Sequence, residues 1–98
     1  MTTPPSVPVP IEKENISGLA FPQADVLPTD DLRLKRREEL FMATTLGNLE
    51  HLKVKIIFES AQGTMSVTTT IWATTEKYIS LKGGVTIPIH CIYDTVFL

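Results

Sequence analysis

From Leu52 onward, apolar and polar residues alternate with the period of a β-strand, and this alternation limits the fold more than any other feature. Leu52, Val54, Ile56 and Phe58 are interleaved with Lys53, Lys55 and Glu59. Successive strand side chains point to opposite faces, so one face of this segment must be buried. Met65, Val67, Thr69 and Ile71 continue the pattern after a break at Ser60-Ala61-Gln62-Gly63. Strands joined by turns this tight bury a core only by curling into a small barrel or sandwich.

Five strands are expected: Leu52–Glu59, Thr64–Thr74, Tyr78–Lys82, Val85–Ile89 and Ile92–Leu98. Thr74-Thr75-Glu76-Lys77 supplies one turn, and Gly83-Gly84 supplies the positive backbone angles of another. The apolar row is odd-numbered at Val85, Ile87 and Ile89 and even-numbered at Ile92, Val96 and Leu98. A flat strand cannot change phase in this way, so the chain must turn or bulge near Pro88–Cys91.

Upstream, residues 30–46 read as a helix. Thr29 or Asp30 can cap it, Asp31 suits the positive end of the helix dipole, and Gly47 serves as a left-handed terminator. Leu34, Leu40 and Phe41 can share one broad face. Residues 1–28 hold six of the seven prolines and are expected to form an irregular or disordered arm. Ile11, Ile16, Leu19, Phe21, Val26 and Leu27 make that arm more apolar than a solvated linker needs. Residues 29–98 are expected to form a single domain, mainly β.

By simple alternation Ile57, Trp72, Tyr93 and Phe97 fall opposite the main apolar rows. Together with Phe21 they form a candidate interaction surface, to be covered by the helix, the arm or another chain. Homo-oligomerisation through such a surface is the leading expectation for this chain.

The helix, a long bendable second strand at Thr64–Thr74, the turn Leu81-Lys82-Gly83-Gly84 and the break across Ile87-Pro88-Ile89-His90-Cys91-Ile92 resemble SH3-like and Sm-like small barrels. Among bacterial members the arrangement is similar to Rho-inhibitor-like proteins and uncharacterised relatives. The resemblance implies a five-stranded barrel and either RNA binding or protein binding through strand edges. It departs from RNA-binding members in charge, since the barrel half carries only Lys53, Lys55, Lys77 and Lys82 as fixed cations.

The chemistry-bearing residues are few. His51, His90 and Cys91 are the classical metal or nucleophile candidates, and they lack the four-ligand spacing of a zinc site. In regular strand, His90 and Cys91 would face opposite ways. No catalytic residue, metal or cofactor is assigned, and a non-enzymatic protein-interaction or assembly module is expected. The alternative is RNA binding, with Arg33, Lys35, Arg36 and Arg37 on phosphates and Trp72 or Tyr78 against bases. A formal net charge of −2 provides no global attraction to polyanions. No run of eighteen apolar residues suggests a membrane span. Neither a basic start nor an apolar leader opens the sequence, so a cytoplasmic chain is expected.

Overall fold

A computed structural model describes residues 6–98. Met1–Pro5, the beginning of the expected arm, lie outside the described residues. Two sheets and one long helix enclose the core. Seven strands occur among the described residues: β1 (Val9–Pro10), β2 (Val54–Ser60), β3 (Gly63–Thr69), β4 (Ile71–Thr74), β5 (Tyr78–Leu81), β6 (Thr86–Pro88) and β7 (Ile92–Phe97), with helix α1 at Asp30–Glu50 before β2. One sheet has the order β1-β3-β2-β7 and the other β4-β5-β6.

The five-stranded barrel that the resemblance implies does not appear as one closed sheet: the strands form two separate sheets. The second expected strand is cut in two at Thr70, a buried residue whose carbonyl accepts a hydrogen bond from the Lys82 N–H at 3.0 Å. Past this corner the chain joins the second sheet. On the other side no ladder connects β6 to β7. A single 3-10 turn at Ile89–Cys91 bridges them instead, at the place where the apolar rows change phase.

Burial on β2 follows the alternation closely: Val54, Ile56, Phe58 and Ser60 point inward. β7 departs from the expected even-numbered row, because its register against β2 shifts between Ile57↔Asp94 and Phe58↔Ile92. Tyr93 is thus the extra residue of a bulge. Inward positions become Ile92 and Thr95, and Leu98 is exposed. A second bulge falls at Trp72, between the pairs Ile71↔Leu81 and Ala73↔Ser80.

The helix also differs from expectation. Thr29 caps its start, with Oγ1 accepting from the Leu32 N–H. It then runs past Gly47 to Glu50 and ends at His51, which takes the left-handed conformation (φ 56°). Gly47 lies in the helix interior because a side chain does not fit there: a Cβ would stand 2.6 Å from the Ile71 carbonyl oxygen. The buried stripe is Arg36, Leu40, Ala43 and Gly47, whereas Leu34 and Phe41, expected to share a face with Leu40, are exposed. The stripe lies on β4 and β7, one strand from each sheet.

Before the helix, residues 6–28 run along the two sheets. Val9 and Pro10 pair in parallel with Met65 and Ser66, a 3-10 helix spans Lys13–Gly18, and Ile16 is fully buried in the same cluster as Leu40, Phe58 and Ile87. Burying one such side chain contributes roughly 1.5–3 kcal/mol, a large share of the stability of a small domain. The Phe21 and Phe58 rings meet at 6.2 Å between centroids.

Candidate functional site

A concavity of ≈ 530 Å³ lies between the first half of α1, the β4–β5 turn and the 3-10 turn before β7. Each wall has a local cause. Arg33, Leu34 and Arg37 project from successive turns of the helix. At the β4–β5 turn, Thr75 Oγ1 accepts from the backbone N–H groups of Lys77 (3.3 Å) and Tyr78 (3.0 Å), which fixes how both side chains are presented. The Lys77 carbonyl in turn accepts from the Ile89 N–H at 2.8 Å, tying that turn to Pro88, Ile89 and His90 on the far side.

Beneath the cleft, Arg36 and Asp25 form a two-pronged ion pair, and Arg36 Nη1 also donates to the Ile92 carbonyl at 3.1 Å. Burial alone would raise the Asp25 pKa. The bonds from Arg36 and from the Leu27 N–H, with the positive charges of Arg36 and Arg33, outweigh burial and hold it below the usual carboxylate range. His90 Nε2 donates to the Pro22 carbonyl at 2.7 Å, and Cys91 Sγ lies 3.4 Å from the same oxygen. The 3-10 turn thus brings together two side chains that a regular strand would send to opposite faces. Burial, reinforced by the nearby carboxylates of Asp25 and Glu59, pushes the Cys91 thiol up to about 11.

Four cationic side chains (Arg33, Arg36, Arg37, Lys77) and two carboxylates (Asp25, Glu76) line the cleft, leaving it a formal +2 in a chain of formal charge −2. Two of those cations are already engaged. Arg36 is buried against Asp25, and Arg33 lies 3.5 Å from both Asp25 and Asp30. Among the described residues, Arg37 and Lys77 make no ion pair. The Arg37 guanidinium stands 5.3 Å from the Phe41 ring centroid. Between these cations, the exposed side chains of Leu34 and Tyr78 supply apolar and aromatic surface.

Of the cations singled out in the sequence, Arg33, Arg36 and Arg37 meet in this cleft and Lys35 does not. Of the aromatic candidates, Tyr78 lines it and Trp72 does not. The apolar surface candidates are dispersed. Phe21 faces Phe58, and Ile57 and Tyr93 are half-buried on the first sheet, with the Tyr93 hydroxyl 3.2 Å from Glu59 Oε1. Trp72 (47% exposed) sits on the second sheet, and Phe97 (39% exposed) lies at the end of β7. Lys77 escaped the sequence reading because turn residues with charged side chains are ordinary. Asp25 escaped it because its partner lies eleven residues away.

Among the described residues no group of three or more His, Cys, Asp or Glu side chains is placed to hold a metal ion. No described helix is long and apolar enough to cross a membrane. Comparison with protein-family models, with curated proteins and with solved structures gave no match.

Proposed function

We propose that this chain is a non-enzymatic protein-interaction module, and that its binding site is the cleft between α1, the β4–β5 turn and the 3-10 turn. The observation that carries this reading is that Arg37 and Lys77, which make no ion pair among the described residues, stand beside exposed Leu34 and Tyr78 in one concavity. Such a site suits a short protein segment in which one or two carboxylates flank a bulky apolar side chain. The apolar residue fills the space beside Tyr78, and the carboxylates meet Arg37 and Lys77 in charge-assisted hydrogen bonds. A cleft of a few hundred Å³ has the size of known recognition pockets.

An SH3-like or Sm-like architecture belongs to the same reading. It is supported by the neighbour order β7-β2-β3 continuing through the Thr70 corner into β4-β5-β6, and by the 3-10 turn before the last strand. A cytoplasmic setting accords with the one thiol, Cys91, which is buried and free.

The test is selection from a displayed random-peptide library on the immobilised full chain. Enrichment of acidic sequences around a Leu, Phe or Trp, lost in Arg37→Glu/Lys77→Glu, supports the reading. Enrichment that survives this double change, or none at all, overturns it. A second reading has its own observation: Arg33, Arg36, Arg37 and Tyr78, four of the six RNA candidates, share the cleft. It predicts that single-stranded RNA binds with an affinity that falls as salt rises, and flat binding curves at low salt dispose of it.

A further inference from the structure

Another concavity, ≈ 210 Å³, shares no residue with the cleft, and Lys13, Lys53 and Lys82 line it beside Thr68, Thr69 and Thr70. Backbone pairing with the second half of β3 brings each lysine there. The Ile11 N–H donates to the Ser66 carbonyl at 2.8 Å, which lays the chain leading into Lys13 along β3. Lys53 precedes Val54, the partner of Thr69 in the β2–β3 ladder. The Lys82 N–H donates to the Thr70 carbonyl at 3.0 Å. Lys13 also reaches the residue next to Lys82: a Cβ at Gly83 would stand 3.8 Å from Lys13 Cε and 4.0 Å from its Nζ.

Like charges gathered in one recess repel unless a counter-charge joins them. Glu12 and Glu14 also line the recess, yet among the described residues none of the three lysines makes an ion pair. Three lysines against two glutamates leave the lining a formal +1. Thr69 and Thr70 are 5% and 4% exposed, and no protein group among the described residues hydrogen-bonds the hydroxyl of either. The recess therefore offers three ammonium groups and several hydroxyls as donors.

We infer that this recess binds a small sugar phosphate. A phosphate monoester carries about −1.5 to −2 charge at pH 7 and three strong acceptor oxygens, which supplies the missing counter-charge. Lysine binds phosphate as a point charge, and threonine hydroxyls donate to the oxygens that the amines leave free. Glu12 and Glu14 suit the other end of the ligand: carboxylates accept only, so they match the hydroxyls of a sugar. At ≈ 210 Å³ the recess is smaller than the roughly 300–1,000 Å³ of drug-sized sites. That limits the ligand to the class of a pentose phosphate.

Titration of the isotope-labelled full chain with ribose 5-phosphate, followed by amide chemical shifts, tests this. Ribose alone and sodium chloride at matched ionic strength are the control arms. Saturable shifts centred on Thr68–Thr70 and Gly83 are expected at millimolar ribose 5-phosphate and in neither control. Lys53→Gln/Lys82→Gln changes two exposed side chains, and its circular dichroism spectrum should match that of the wild type. Losing two charge-assisted contacts should weaken binding at least about tenfold. The absence of saturable shifts, the same shifts from ribose or from salt, or undiminished binding by the double variant overturns the inference. None of these residues lines the cleft, so this titration and the peptide selection fail independently.

Discussion

Arg36 holds both carboxylate oxygens of Asp25, with Nη1–Oδ1 at 2.9 Å and Nη2–Oδ2 at 2.7 Å. The pair fastens the segment before the helix to the helix itself, and the third bond, to the Ile92 carbonyl, extends the link to β7. With the Arg36 side chain 6% exposed and that of Asp25 19% exposed, removing one partner leaves a nearly buried charge without its counter-ion. Asp25→Asn keeps the shape and removes the charge, and should cost about 2–4 kcal/mol in urea unfolding at neutral pH. The pH dependence has a definite sign. Because the folded-state pKa of Asp25 lies below the unfolded one, its stabilisation is complete above the ordinary carboxylate pKa, about 4. It is lost as pH falls through the folded value. The wild-type advantage over Asp25→Asn should therefore shrink on acidification below that range. A constant difference down to the acid limit contradicts the assignment.

Gly47→Ala sets two effects against each other. In an exposed helix interior, alanine stabilises by about 1 kcal/mol relative to glycine. Here the added methyl would sit 2.6 Å from the Ile71 carbonyl oxygen and 2.9 Å from Thr70 Cγ2. The first of these is backbone at the corner where one sheet passes into the other, so the helix must shift away from β4. Overpacking of this kind costs about 1–3 kcal/mol, and with backbone on the other side the upper part of that range applies. Thermal unfolding should show a net loss of stability. A gain would mean that the helix does not approach β4 so closely.

Much of the fold was legible because alternation is a local signal. Val54, Ile56 and Phe58 declare their faces within five residues, and Gly83 and Gly84, at φ 97° and 88°, declare a turn by their chemistry. The features that escaped are those that depend on a distant partner. Trp72 and Tyr93 break alternation because each is the extra residue of a bulge, whose position is set by the neighbouring strand. Gly47 looks like a terminator in isolation and is a contact point once β4 lies across it. Arg36, in a run of basic residues, reads as one of several candidate phosphate contacts until Asp25 is folded over it. The cleft draws on three separate elements, so its lining could be assembled only from the topology.

Thr95 tests the polar accounting of the core. Its residue is 4% exposed and its hydroxyl has no hydrogen-bond partner among the described residues, while its backbone N–H donates to Asp94 Oδ1 at 2.9 Å. An unpaired buried hydroxyl carries a desolvation penalty without compensation. Valine has nearly the same shape and no such group. Thr95→Val should leave stability unchanged or raise it by up to about 1 kcal/mol, read as a higher urea midpoint at constant slope. A clear loss would show that the hydroxyl is bonded in solution.

Cys91 gives a chemical readout of how tightly the segment around Pro22 closes over the 3-10 turn. The thiolate is the reactive form, and burial together with the Asp25 and Glu59 charges pushes the thiol up to about 11, so very little thiolate exists near pH 8. The sulfur is also buried, 3.4 Å from the Pro22 carbonyl. A thiol-specific reagent should label the native protein at pH 8 at the rate of local opening and label the urea-unfolded chain fully. His90→Ala removes the 2.7 Å bond to the same carbonyl and should loosen this closure, raising the native labelling rate well before global stability falls far. Equal labelling rates for wild type and His90→Ala would show that the hydrogen bond does not hold the segment shut. Immediate labelling of the native wild type would show that the thiol is not covered at all.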